Sequence, residues 1–209
     1  MKSAPENRNE TAAKILDAAD ELLVEVGRDG LRARAIADRA GVNNALVFYY
    51  FGSIEGLVER VIERYYRRHL RALEDAFAAE GPLCERLHRV LDAYLDFIET
   101  NLRYPRLVQQ QVAGAPVFHE LIRKHLAPLY EWVRDALAEV APDQGPLSAR
   151  HLFISISGIV INYYTYGQVL GPLWDLDPFG ASALVERREH VHWLTDALLD
   201  RLQKVAVAA

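Results

Sequence analysis

The sequence predicts an all-α fold of about nine helices, divided into a small N-terminal domain (residues 1–52) and a larger C-terminal one (residues 53–209). Three observations carry that expectation. Apolar residues recur at spacings of three and four along most of the chain. Glycine and proline cut this pattern into segments of helical length, and no segment alternates apolar and polar residues as a half-buried strand does. With 209 residues, 51 % apolar and 25 % charged, the chain has enough apolar surface for a sizeable core.

Taken in order, Ile15, Ala19, Leu22, Leu23 and Val26 form the inner face of a first helix. Arg34 to Ala40 makes a short second helix whose Ile36, Ala37 and Ala40 share one face, two of them small enough to admit a close neighbour. Gly41 ends it where the chain needs positive φ, and Val42 fills the angle that follows. Asn43 or Asn44 caps a third helix, in which Leu46, Val47 and Phe51 face inward. Phe48, Tyr49, Tyr50 and Phe51 are consecutive aromatics, and a short helix cannot bury all four. Asn44, Ala45, Phe48, Tyr49 and Tyr50 are therefore expected to look outward at least in part. Two short helices joined by a tight turn, the second uncharged, form the pattern of a helix-turn-helix, whose second helix enters the DNA major groove.

Ser53 caps a fourth helix that runs to Glu80, with Val58, Val61, Ile62, Tyr65 and Leu73 on its apolar side and Arg64, Arg68 and Arg71 turned outward. Gly81-Pro82 stops it. Leu83 to Asn101 follows, through Leu87, Val90, Leu91, Tyr94 and Ile98; a shorter helix runs from Pro105 to Gly114. Val117 to Val140 contains Pro128, which removes a hydrogen bond to the Lys124 carbonyl and predicts a kink. After a loop at Pro142–Pro146, Leu147 to Leu170 is apolar nearly all round, and Ser155, Ser157, Gly158 and Gly167 would admit a close neighbour. Gly171 to Gly180 reads as a loop, and Ala181 to about Val205 closes the chain with Val185, Val191, Leu194, Leu198 and Leu202 on one side.

Three runs, ILDAADELLVEVG (Ile15 to Gly27), IADRAGV (Ile36 to Val42) and FGSIEGL (Phe51 to Leu57), give Thr11 to Leu57 a resemblance to the N-terminal domain of TetR-family transcriptional repressors. Asn43 stands where that family commonly has Ser or Thr and keeps the capping chemistry. Phe48 replaces a common Tyr and Ile54 a common Lys, each removing a group that could reach phosphate. The resemblance implies a homodimer built through the last two helices, a palindromic operator, and a ligand held in the C-terminal domain that shifts the spacing of the DNA-reading domains. A C-terminal pocket would be lined from the aromatic and polar stock of its helices: Tyr94, Phe97, Gln110, Phe118, His125, Trp132, Phe153, Asn162, Tyr163 and Tyr166. An uncharged, mostly apolar or aromatic ligand suits that composition.

The net charge of −5 is uneven on the scale that matters for DNA. Arg28, Arg32, Arg34 and Arg39 flank the motif, and no acidic residue lies between Asp38 and Glu55. Screening limits the reach of distant carboxylates to about 8–10 Å, so this face can be positive on an acidic molecule. Arg32 and Arg34 are expected to contact phosphate, and Asn43 and Asn44 to contact phosphate or adenine. Ala45, Phe48 and Tyr49 would meet thymine methyls, and Tyr50 the backbone.

Other classes find little support. The seven histidines show no HExxH or CxxC-type spacing, Gly-rich phosphate loops are absent, and the carboxylates fall on solvated helix faces, so neither an enzyme, a cofactor nor a metal is expected. One cysteine, Cys84, excludes an internal disulfide. No apolar run nears the ~20 residues of a membrane span and the N-terminus has no signal-peptide core, which points to the cytoplasm. The expected function is thus a dimeric DNA-binding repressor released by a small organic ligand. Its rivals are a regulator controlled by a protein partner, and a helical ligand carrier or enzyme with a vestigial helix-turn-helix.

Overall fold

The computed structural model describes residues 4–102, 104–105, 109, 112 and 117–208, the side chains of 4–7, 24, 117–118, 203 and 205–208 excepted. Its helices are α1 (Ala4–Gly30), α2 (Ala33–Ala40), α3 (Asn44–Phe51), α4 (Ile54–Ala78), α5 (Leu83–Thr100), α6 (Val117–Ala136), α7 (Ala149–Trp174) and α8 (Ala181–Ala208). The fold is all-α, with no strand among the described residues. The helix expected from Pro105 to Gly114 falls mostly outside them.

The chain forms two compact units. One comprises residues 1–67 and 110–125, the other residues 68–109 and 126–209. In the first, α1 packs on α2 and α2 on α3. Ile15, Leu23, Ile36, Val47, Leu57 and Val61 are the largest fully buried side chains among its described residues. Val26, expected in this core, is instead half exposed. Gly27, at φ 67° and ψ 176°, breaks the helical path, and the turn that follows brings Gly30 so near that a Cβ there would lie 2.9 Å from the Val26 Cβ. Arg64 likewise departs from its expected outward position. Its guanidinium donates to Asp17 at 2.5 Å and Asp20 at 2.7 Å, and so ties α4 to α1.

In the second unit Leu95, Ile98, Val160, Val191 and Leu202 are fully buried. Arg188 on α8 reaches three carboxylates of α5: Asp92 at 2.9 Å, Asp96 at 2.5 Å and Glu99 at 3.5 Å. The Tyr164 hydroxyl of α7 donates to Glu99 at 3.0 Å, so this half-buried network joins three helices. α7 runs one turn further than expected, through Pro172 to Trp174, and stops at Asp175 in the left-handed conformation (φ 54°). Gly167 does admit a close neighbour, but from its own chain: a Cβ there would meet the Phe179 ring at 3.1 Å. Small size is needed at that position for the 175–180 loop to fold back on α7.

Candidate nucleic-acid interface and ligand cavity

The turn between α2 and α3 follows from three residues. Gly41 adopts φ 65°, ψ 37°, and the Val42 N–H donates to the Ala37 carbonyl at 3.0 Å, satisfying an end of α2. Asn43 is the cap of α3, its side-chain oxygen accepting from the Ala45 N–H at 2.8 Å. That bond spends the Asn43 oxygen and leaves Asn44, in the first turn of α3, exposed to solvent. Val47 is completely buried and fixes which face of α3 turns in. Ala45, Phe48 and Tyr49 then face outward, Phe48 46 % and Tyr49 65 % exposed. Tyr50 is half-buried and packs edge-on against Tyr49, with ring centroids 5.0 Å apart. Gly52 ends α3, and Ser53 caps α4 by accepting from the Gly56 N–H at 3.0 Å.

The four arginines that flank this face are not equivalent. Arg39 is held by Glu25 through two bonds of 3.0 Å and by Glu21 at 3.1 Å; these hydrogen bonds raise its already high pKa and neutralise its field. Arg28 has Glu55 at 3.9 Å. Arg32 reaches back to the carbonyls of Asp29 (2.7 Å) and Leu31 (3.0 Å), bracing the entry to α2. Arg34 is exposed and, among the described residues, has no carboxylate against it.

The second unit contains a cavity of about 140 Å³, lined from α4, α5, α6, α7 and α8. Of the ten expected pocket residues, Tyr94, Trp132 and Phe153 line it, together with aliphatic residues such as Leu91, Leu129 and Leu199. Its polar groups are few: His69, Ser157 and Thr195 stand out, and the Thr195 hydroxyl is spent on the Val191 carbonyl at 2.9 Å. His69 is stacked between Tyr94 (5.0 Å) and Phe97 (4.6 Å), and burial pushes its pKa down to about 4, so it is neutral at physiological pH.

The other expected pocket residues lie elsewhere. Phe97 stands behind His69 and does not face the space. His125 belongs to the N-terminal unit, 3.9 Å from Glu59. Asn162 is exposed and bonded to Gln109, Tyr163 donates to the Pro178 carbonyl at 2.9 Å, and Tyr166 is 56 % exposed. Gln110 and the Phe118 side chain lie outside the described residues. His69 and the aliphatic lining escaped the sequence reading because leucine at helical spacing signals core whether or not the core is filled. The i, i+4 pair His69 and Leu73 on the inner face of α4 was the available signal.

Residues 15–61 match the family of bacterial regulatory proteins named tetR. That match runs from α1 into α4. Its similarity to the transcriptional activator FasR of Mycolicibacterium smegmatis is 30 % identity over 48 % of this chain and 46 % of that one. To the transcriptional repressor Rv3405c of Mycobacterium tuberculosis it is 36 % over 44 % of this chain and 47 % of that one. The match thus spans about half the length of these curated relatives. In fold, the chain resembles the regulator FadR of Bacillus subtilis, solved with stearoyl-CoA, at a TM-score of 0.67 and 17 % identity over 91 % of this chain and 96 % of that one. The pair α2 and α3, with the Gly41 turn between them, lies inside the matched segment. Among the described residues no helix is long and apolar enough to cross a membrane.

Proposed function

We propose that this chain is a TetR-family regulator, a homodimeric transcriptional repressor that binds a palindromic operator and is released by a small, uncharged, mostly apolar ligand. The observation that carries the reading is the outer face of α3, where Asn44, Ala45, Phe48 and Tyr49 are exposed on a helix with no charged side chain. Exposed aromatic surface costs stability unless something covers it, and base edges with thymine methyls suit this mixture of amide and apolar groups. Arg32 and Arg34 at the start of α2 would hold phosphate, Asn43 would be restricted by its capping bond, and Tyr50 would reach the backbone.

Dimerisation is supported by apolar residues left open on α7 and α8: Ile154, Val169, Leu173, Val185 and Trp193 are each more than half exposed. A two-fold pair would bury them and set two copies of α3 roughly 34–36 Å apart, one DNA turn. Repression then requires only that the dimer occupy its site. Ligand response is supported by the apolar cavity, which favours a small molecule over a protein partner as the signal. A void of about 140 Å³ takes a ring-sized or short-chain group. A chain as long as the stearoyl group bound by the B. subtilis neighbour would require the helices to part. Release from DNA needs a ligand that binds the DNA-free conformation more tightly than the DNA-competent one.

Selection of duplexes from a randomised library at near-physiological salt tests the reading. An enriched palindrome is expected. No enrichment by folded protein would overturn it in favour of a carrier with a vestigial helix-turn-helix.

A further inference from the structure

Cys84 and His88 lie one turn apart on α5, and His192 and Asp196 lie one turn apart on α8, so each pair shares a helix face. These helices pack on each other. Cys84 Sγ is 4.0 Å from His88 Nε2, and His88 Nε2 is 2.6 Å from Asp196 Oδ1. One donor atom from each of the three lies within 4.8 Å of the others. The His192 ring stands edge-on to His88 at 5.1 Å, with its Nε2 held 2.8 Å from Asp92 Oδ1. Glu85 and Asp200 add negative charge around the thiol. No spacing along the chain discloses this grouping, because His88 and Asp196 are 108 residues apart.

We propose that Cys84, His88 and Asp196 bind a borderline divalent cation of the zinc class and thereby clamp α5 to α8. A thiolate, an imidazole and a carboxylate are the donor types that such ions take, where a set of oxygens alone would suit magnesium or calcium. Donors about 2.0–2.3 Å from a tetrahedral ion sit roughly 3.3–3.8 Å from one another, so small side-chain rotations suffice to close the set. The ion enters between His88 and Asp196 in place of their hydrogen bond, and the thiol proton leaves to solvent. Three protein donors leave the fourth position to water, consistent with the exposure of Asp196. An inert buried thiol would need neither an imidazole nor a carboxylate beside it.

The clamp bears on the cavity. Leu87 precedes His88, Thr195 precedes Asp196, and both line the space. An ion that fixes the distance between α5 and α8 fixes two of the five walls. Metal occupancy would therefore change how the cavity accepts an apolar ligand, independently of whether the chain represses transcription.

The test is a titration of the full-length, tag-free, reduced protein with Co²⁺, followed by displacement with Zn²⁺. Because Cys84 is the one cysteine of the chain, a thiolate-to-cobalt charge-transfer band in the near ultraviolet reports on this site alone. Saturation at one ion per chain and loss of the band with Zn²⁺ are expected. Cys84→Ser should abolish the band, and Asp196→Asn should weaken binding about a hundredfold or more, with far-ultraviolet circular dichroism checking that both variants fold. The proposal is overturned if the unmodified chain gives no such band, or if folded Asp196→Asn binds cobalt as tightly as the parent. The parent titration decides the matter even where a variant fails to fold.

Discussion

On α3, Phe48 and Tyr49 are 46 % and 65 % exposed, whereas Leu91, Tyr94 and Leu152 are each under a tenth exposed and yet border empty space. Both regions leave apolar surface unsatisfied, in opposite ways. The α3 side chains have water where they would have protein, which costs transfer free energy. The cavity walls have nothing on one side, which forfeits dispersion contacts. The first kind of deficit is relieved by a large flat partner, the second by a small enclosed one. The difference matters because each kind of surface is altered by substitutions that leave the other alone.

The largest expected effect tests whether the cavity is truly unfilled. Leu95 and Leu91 lie one turn apart on α5; Leu95 is completely buried in packed core, while Leu91 faces the cavity. Leu95→Ala should cost about 3–5 kcal/mol in urea denaturation, and Leu91→Ala nearer 2 kcal/mol, because its missing neighbours were never there to lose. Equal losses would mean that the space beside Leu91 is closed in solution, and the contrast with α3 would fail.

Next comes acid. His69 titrates at about 4 in the native state against 6.5 in the unfolded chain, with burial as the cause. The unfolded state therefore takes up the proton first. Stability is undiminished above about pH 6.5, falls as pH drops through that value, and levels off below about 4, a total of about 3 kcal/mol. His69→Phe keeps a ring between Tyr94 and Phe97 and should remove this part of the slope. If the slope persists in the variant, other groups cause it.

These contrasts also mark what could be read in advance. The helix-turn-helix was legible because its determinants are local. Gly41 must turn, one of two adjacent asparagines must cap, and four aromatics in a row exceed what one short helix can hide. Even so, the choice between Asn43 and Asn44 needed the 2.8 Å bond to Ala45. The cavity was half legible: Tyr94, Trp132 and Phe153 advertised themselves as aromatic, but the leucines beside them look the same over a void as over a filled core. Tyr163 and Tyr166 misled for the converse reason, since aromatic type says nothing about which way an all-round apolar helix turns. The Cys84, His88 and Asp196 grouping was invisible because two helices distant in sequence supply it.

On α3, Asn44→Ala should weaken operator binding by about 1–3 kcal/mol per half-site while random DNA is bound as before. An equal loss on both would show that Asn44 touches only phosphate. Tyr49→Ala should lower operator affinity by a similar amount, yet move unfolding by no more than about 0.5 kcal/mol, since its ring is already in water. A large drop in stability would mean that the ring is buried in solution, and α3 would then resemble the cavity wall.

The smallest effect separates cations that a count of arginines treats as equal. For Arg39 to neutralise a phosphate it must leave Glu25 and Glu21, and the carboxylates so freed would repel the same DNA. Arg34 has no such competitor among the described residues and releases a counterion at no electrostatic cost. The slope of log K against log salt should therefore shrink by about 1 for Arg34→Ala in each subunit. Arg39→Ala should leave the slope where it was, although it uncovers Glu21 and Glu25 and so weakens binding slightly at low salt. If both substitutions reduce the slope alike, Arg39 exchanges its carboxylates for phosphate on DNA, and the ion pairs belong to the free protein only. That result would place rearrangement at the α1–α2 surface within the binding event.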